Sequence, residues 1–141
     1  MLVALLPTQV PDFWEVIRPD LEENMPPISD YGPYDMNNIL YGLMTGMMVC
    51  WIYTDREQRM QGFLITTVLK DLSGVKSLLL YSIVLYTKES VDWRHEFETI
   101  KKHARSMGCA KIAAFILNKE VLKVLEENNV ETRFVFANVN I

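Results

Sequence analysis

The stretch Ala104-Arg105-Ser106-Met107-Gly108-Cys109-Ala110-Lys111-Ile112 predicts the passage from a helix, through a tight turn, into a strand. The apolar residues at helical spacing in this region are Trp93, Phe97, Ile100, Ala104 and Met107. They indicate a helix that begins at Asp92 and stops at Gly108, because glycine readily adopts the left-handed conformation that closes a helix. Lys111 to Leu117 is continuously apolar after its first residue and predicts a buried strand.

Upstream of this helix, three apolar segments rich in β-forming residues are separated by short polar turns. They are Met47 to Thr54, Met60 to Leu69 and Leu78 to Thr87. The turns Asp55 to Arg59 and Asp71 to Lys76 are short enough to connect antiparallel neighbours. The sequence therefore predicts three consecutive strands linked as hairpins.

The N-terminal part predicts one strand and two helices. Met1 to Leu6 is an apolar strand that we expect Pro7 and Pro11 to end. Asp12 to Asn24 has apolar residues at helical spacing, and a second helix begins near Asp35 and stops at Gly46. The helix positions predicted to share one face are Met36, Ile39, Leu40, Leu43 and Met44. Between the helices, the proline-rich stretch Met25 to Tyr34 predicts a loop.

Beyond the quoted stretch, Asn118 is a suitable N-cap for a helix from Lys119 to Asn128, and Thr132 to Val139 predicts a last strand. The complete order is β-α-α-β-β-β-α-β-α-β. This order predicts a single domain over residues 1–141 of the α/β (α+β mixed) class, with a mostly antiparallel mixed sheet flanked by helices.

Composition excludes several classes of protein. Fourteen basic residues against eighteen acidic ones give a net charge of -4, so no overall positive field favours nucleic acid. No apolar run approaches the roughly 18 residues of a membrane helix, so we expect a soluble protein that does not bind membranes. Cys50 and Cys109 both lie in apolar contexts and are predicted to be free thiols, as in the reducing cytoplasm.

The order of elements, together with Ala104 to Ile112 and Asn118, resembles the GNAT superfamily of acyl-CoA N-acyltransferases over essentially the whole chain. In that family, an Arg/Gln-x-x-Gly-x-Gly/Ala loop after the long strand brings backbone N–H groups to the pyrophosphate of CoA. The corresponding segment here is Tyr86-Thr87-Lys88-Glu89-Ser90-Val91-Asp92. It contains no glycine and carries two carboxylates, which predicts the loss of the family's usual mode of CoA binding.

The resemblance also implies catalytic groups that are missing at the matching positions. The family commonly uses a carboxylate near the middle strands as general base, but Leu78 to Thr87 contains none, and Asp71 and Glu89 fall in the flanking turns. Many members place a tyrosine seven residues after the capping asparagine, where this chain has Leu125. The sequence therefore predicts no catalytic residue.

Three functions remain compatible with the sequence. The first is a non-catalytic GNAT-like interaction or assembly module with a protein partner, similar to the small GNAT-like proteins that bacteriophages encode as virion or host-directed proteins. The alternative is a divergent acetyl-CoA-dependent N-acetyltransferase in which Thr87, Lys88 and Ser90 contact the cofactor and Asn118 contacts its pantetheine. A third is a small-molecule binding module that uses the splay between the parallel strands. The oligomeric state is left open.

Four other groups of residues carry structural predictions. Met44, Met47 and Met48, beside Trp51, are predicted to fill the core rather than to form a partner surface. His95 and His103 lie about 12 Å apart along one helix, so no zinc site is predicted. The pairs Lys101-Lys102 and Glu126-Glu127 are predicted to lie on the solvent faces of amphipathic helices.

Overall fold

The computed structural model describes residues 1–26, 35–87, 93–116 and 119–127. Its centre is a five-stranded sheet in the order β1-β2-β3-β4-β5. The strands are β1 Leu2–Ala4, β2 Met48–Thr54, β3 Met60–Lys70, β4 Lys76–Leu85 and β5 Lys111–Ala114. The first four pair antiparallel with their neighbours, whereas β5 runs parallel to β4. The predicted mixed, mostly antiparallel sheet is confirmed.

The described part of the chain contains four α-helices. They are α1 Val10–Glu23, α2 Met36–Met44, α3 Trp93–Ser106 and α4 Lys119–Glu127, with a 3₁₀ turn at Pro7–Gln9 before α1. Asp35 caps α2, because its carboxylate accepts a hydrogen bond of 3.0 Å from the backbone N–H of Asn37. Gly46 and Gly108 follow α2 and α3 with positive φ angles of 78° and 72°, so both predicted helix stops are confirmed.

One face of the sheet is covered by α1 and α2. Its buried residues are Val10, Trp14, Ile17, Leu21 and Met25 from the α1 segment, Met36, Ile39 and Leu43 from α2, and Cys50, Ile52, Phe63, Ile65 and Val84 from the sheet. The spacing on α1 and α2 follows the helical repeat, which is why these two helices bury one stripe each. This layer sets the position of α1 over β3 and β4.

The opposite face is covered by α3. Ile100 and Ala104 of that helix pack against Trp51, Leu64, Leu78 and Leu80 of the sheet. Inside this layer, the indole N–H of Trp51 donates a 3.0 Å hydrogen bond to the hydroxyl of Thr66, which is fully buried. His103 packs edge-on against Trp51 with ring centroids 5.0 Å apart, and its partial burial lowers the pKa of the imidazole.

Several predicted boundaries are wrong by a few residues. α1 begins at Val10 rather than Asp12, and Pro11 lies in its first turn, where a missing N–H costs nothing. β4 runs from Lys76 to Leu85 rather than from Leu78 to Thr87. β5 ends at Ala114, so Phe115 and Ile116 follow the strand instead of belonging to it.

The prediction that the methionine cluster fills the core is wrong for two of its members. Met44 and Met47 are 50% and 60% exposed, while Trp51 lies on the opposite face of the sheet. Only Met48 packs against the α1 and α2 core. Met107 is also exposed rather than part of the α3 stripe, because the helix ends at Ser106 before it.

The remaining predictions divide by whether the structure describes the residues concerned. Cys50 and Cys109 are free thiols, as predicted. The predicted last strand, Thr132 to Val139, and most of the loop Met25 to Tyr34 lie outside the described residues. Among the described helices, none combines the length and the apolar character needed to cross a membrane. The single-domain organisation stays a prediction.

Candidate functional site

The most unusual feature of the sheet is the point at which β4 and β5 part. Their parallel register runs from Ser77 opposite Lys111 to Leu80 opposite Ala114. β4 continues beyond Leu80 to Leu85, but there it is paired with β3 alone within the described residues. Among the described residues, β4 and β5 form no pair beyond Leu80 and Ala114, and we refer to the position after this last pair, between Tyr81 and Phe115, as the β4–β5 gap.

A β-bulge in β4 lies at the mouth of this gap. Ile65 is opposite Ser82, whereas the next residue of β3, Thr66, is opposite Leu80, so Tyr81 is the additional residue. The insertion changes which face the side chains point to: Leu78 and Leu80 pack under α3, but Val84 packs under α1 and α2. The bulge coincides with the last paired position of β5.

The residue after the bulge is tied to the end of α1. The buried hydroxyl of Ser82 donates a hydrogen bond of 3.1 Å to the backbone carbonyl of Asn24. Asn24 in turn donates from its side-chain amide to the carbonyl of Asp20, over 2.7 Å. These two bonds hold the C-terminal turn of α1 directly over the post-bulge half of β4.

A second connection joins the same turn of α1 to the end of β4. The phenol of Tyr86 donates a 2.6 Å hydrogen bond to Oδ2 of Asp20, and the ring lies 6.4 Å from that of Phe63. The backbone N–H of Tyr86 donates to the carbonyl of Gln61 over 2.9 Å. Burial, and then the bond to the Asp20 carboxylate, raise the pKa of Tyr86 well above its ordinary value. The phenol therefore stays protonated and donates its hydrogen bond to Asp20 at neutral pH.

The predicted site residues are only partly within the described structure. Thr87 directly follows Tyr86 at the end of β4. Lys88, Ser90 and Asn118 lie outside the described residues, as do Glu89 and the side chain of Leu125. Asp71 stabilises the β3–β4 turn, because its Oδ1 accepts hydrogen bonds from the backbone N–H groups of Ser73 and Val75.

Asp20 is the residue that sequence reasoning missed. The family resemblance implies a base in or around the middle strands, whereas Asp20 is on α1 and reaches the site only through tertiary packing. A partial signal was available, because Asp20 lies between the buried Ile17 and Leu21 and is itself half-buried. An acidic side chain at the border of a buried stripe is placed to face a neighbouring element.

A mixed sheet whose parallel strands part beside a bulge, with two early helices on one face and one helix on the other, is a specific architecture. Solved acetyltransferase structures resemble this chain in overall fold. Ribosomal-protein-alanine N-acetyltransferase from Brucella melitensis biovar Abortus 2308 is similar over 100% of this chain and 99% of its own, with a TM-score of 0.69. The chain has the GNAT fold.

Two further GNAT structures show the same relationship. The aminoglycoside acetyltransferase meta-AAC0020 from an uncultured soil metagenomic sample has a TM-score of 0.71 and covers 100% of this chain and 95% of its own. A Trypanosoma brucei acetyltransferase has a TM-score of 0.65, with 100% and 99% covered. Sequence identities of the three are 10%, 13% and 12%, so the fold is what they share. Neither a protein-family model nor a curated protein matches the sequence.

Proposed function

We propose that this protein is an acyl-CoA-dependent N-acyltransferase whose acyl donor enters the gap between β4 and β5. The observation that carries the proposal is the coincidence of two features in a GNAT fold. The β4–β5 pairing ends at Leu80 and Ala114, and the bulge at Tyr81 follows immediately. β-bulges occur preferentially at sheet edges and next to active sites, where they redirect side chains or end strand pairing.

The gap suits the pantetheine part of an acyl-CoA better than its pyrophosphate. The pantetheine arm is extended and carries amide groups, which match the regularly spaced N–H and C=O groups along the edge of a strand. From Ser82 to Leu85, β4 has β3 as its only described neighbouring strand, so its β5 side is the edge that we propose for this contact. At the pyrophosphate, the glycine-free segment 86–92 supports only weaker contacts, for which Thr87, Lys88 and Ser90 provide hydroxyls and one positive charge.

In this proposal Asp20 is the general base. The acceptor amine attacks the thioester carbonyl, so that a C–N bond forms and the C–S bond breaks. The proton lost by the amine passes to the carboxylate of Asp20, which then releases it to solvent, and the departing thiolate takes one proton from solvent, so that Asp20 is regenerated. Tyr86 acts as a positioning residue, because its hydrogen bond fixes the orientation of the Asp20 carboxylate.

The proposal is tested by following thiol release from acetyl-CoA in the presence of a panel of primary amines. The wild-type protein is expected to release thiol with at least one amine class. Asp20→Asn is expected to lower kcat/KM by roughly 10²- to 10⁴-fold, the usual contribution of a general base. Glu23→Gln is the matched control, because Glu23 is an exposed carboxylate on the same turn of α1 and should leave the rate unchanged. No release with any amine, and no heat on titration with acetyl-CoA, would contradict the proposal.

A non-catalytic interaction module is the second candidate, and two observations favour it. Tyr41, Met44 and Met47 are exposed large side chains at the C-terminal end of α2, and the segment 86–92 lacks the glycines of a pyrophosphate site. For a phage-encoded chain, the partner would be a virion or host protein. This function predicts no heat with acetyl-CoA, and a protein partner that is retained by the wild type and lost by Met44→Glu/Met47→Glu.

A further inference from the structure

Two helices of equal length cover opposite faces of the sheet and present opposite charges to solvent. Both α1 and α3 have 14 residues. α1 packs on the face that contains Phe63 and Ile65, whereas α3 packs on the face that contains Trp51 and Leu64. Their outer surfaces therefore point away from each other on one molecule.

The outer surface of α1 is acidic. Its exposed charged residues are Asp12, Glu15, Arg18, Glu22 and Glu23. Four carboxylates against one guanidinium leave this surface with a charge of -3. None of the five forms an ion pair with another described residue, and the exposed Val16 lies among them. We refer to these five charged residues and Val16 as the α1 surface.

The outer surface of α3 is basic. Its outward charged residues are Arg94, Glu98, Lys101, Lys102 and Arg105. Four cations against one carboxylate leave it with a charge of +3, and Glu98 is already bonded to Lys101 over 2.7 Å. The other acidic residue of the helix, Glu96, is buried beside the α-amine of Met1 at 3.4 Å and does not reach this surface. We refer to the five outward residues as the α3 surface.

We infer that copies of this chain associate head to tail, with the α1 surface of one copy against the α3 surface of the next. The two surfaces match in length, have equal and opposite charge and belong to the same molecule, so a second copy is the partner that their complementarity selects. Because they lie on opposite sides of the sheet, each contact leaves one α1 surface and one α3 surface free. Such a heterologous contact repeats and forms a ring if the rotation closes, or a filament if it does not. The inference does not depend on the acyltransferase proposal.

Sedimentation velocity at two salt concentrations tests the association directly. At about 0.1 M salt or below, where charges act over about 10 Å or more, the average sedimentation coefficient is expected to rise with protein concentration. At about 1 M salt, where the screening length is about 3 Å, the protein is expected to sediment as a monomer. A protein that stays monomeric at every concentration in low salt would overturn the inference, as would a closed dimer that survives in high salt.

Charge-reversal variants locate the contact. Lys102→Glu/Arg105→Glu is expected to remain monomeric in low salt, and so is Glu15→Lys/Glu22→Lys. An equimolar mixture of the two variants is expected to assemble. The reversed α3 surface of the first variant is then opposite in charge to the reversed α1 surface of the second. The native α1 surface of the first and the native α3 surface of the second are also opposite in charge. The chain's net charge of -4 means that neither variant becomes net positive, so general attraction between oppositely charged proteins does not explain such pairing.

A control separates the contact from a change in overall charge. Arg56→Glu/Lys70→Glu makes the same change in net charge as Lys102→Glu/Arg105→Glu, at exposed positions in the β2–β3 turn and at the end of β3 that belong to neither surface. This variant should assemble like the wild type, and circular dichroism melting should show that all the variants are folded. Loss of assembly in this control, or assembly of Lys102→Glu/Arg105→Glu alone, would refute the head-to-tail contact.

Discussion

Tyr86 and Asp20 are 66 residues apart in sequence, yet the phenol Oη of the first lies 2.6 Å from Oδ2 of the second. The bond joins the last turn of α1 to the end of β4, at the side of the gap where β4 and β5 have parted. The α1 carboxylate is therefore brought to the candidate site by the packing of the helix against the sheet. Several consequences of this packing can be measured on the folded protein.

Tyr86→Phe is expected to change how stability depends on alkaline pH. Because the folded state raises the pKa of Tyr86, its contribution to stability is complete below the unfolded value of about 10 and is lost as the pH rises above it. Wild-type protein should thus lose more free energy of unfolding than Tyr86→Phe between about pH 9 and pH 11. Urea unfolding across this range measures the difference in the free energy of unfolding. Curves of this free energy against pH that run parallel for the two proteins would show that folding does not raise the pKa of Tyr86.

Thr66→Val is expected to destabilise the protein by about 1–3 kcal/mol, because it leaves the buried indole N–H of Trp51 without its acceptor. Thr67→Val is the matched control on the next residue of β3. The hydroxyl of Thr67 is near the surface and donates to the carbonyl of Met47, so this loss should cost less than about 0.5 kcal/mol. Denaturant unfolding of both variants checks the order, and equal costs would contradict the role of the Trp51–Thr66 bond.

Gly62→Ala is expected to cost about 1–3 kcal/mol, because an added Cβ would overlap the backbone carbonyl oxygen of Val84 and force β3 and β4 apart. The comparison is Gly42→Ala in α2. There the Cβ meets only the flexible side chain of Met48, at 2.9 Å, and alanine gains up to about 1 kcal/mol of helix propensity.

Thermal melting should place Gly62→Ala well below wild type and Gly42→Ala close to it. Equal melting temperatures for the two variants would mean that β3 and β4 accommodate the added Cβ at position 62 without loss of stability. Because Gly62 pairs with Leu85, directly before Tyr86, a weakened Gly62→Ala should also bind acyl-CoA less tightly.

The two cysteines are expected to react with a thiol reagent at very different rates. Burial raises the pKa of the Cys50 thiol to about 12, so almost none of it is in the reactive thiolate form in the folded protein. Cys109 is only partly buried. An aromatic disulfide reagent should therefore modify one thiol quickly and the second only on unfolding. Cys109→Ser should remove the fast phase, and persistence of that phase would place the reactive thiol at Cys50.

Most of the fold can be predicted from the sequence because its signals are local. Helical spacing around Ile17, Leu43 and Ile100 and the short turns between strands are enough to establish the order of elements. Errors occur where a residue tolerates two environments. Pro11 can end a strand or begin a helix, and Met44 and Met47 are apolar but exposed at the end of α2.

The candidate site is harder to predict because its parts are not local. The resemblance to GNAT proteins predicts the splay between the parallel strands, and β4 and β5 do part after Leu80. The bulge at Tyr81 could not be predicted, because Leu78 to Leu85 shows no alternation of polar and apolar residues that an extra residue would interrupt. All the positions around Tyr81 are apolar or small. Asp20 could not be assigned from sequence, because its place beside Tyr86 depends on the angle at which α1 crosses β4.

The most direct test of the acyl-donor site is an NMR titration of isotope-labelled protein with acetyl-CoA. If the donor enters the gap, the amide signals of Tyr81, Ser82 and Phe115 shift with increasing acetyl-CoA, while those of Val3 and Ile52 in the distant β1–β2 pair do not. Unchanged signals at Tyr81, Ser82 and Phe115 at about 1 mM acetyl-CoA, a typical upper value for KM, would contradict the site.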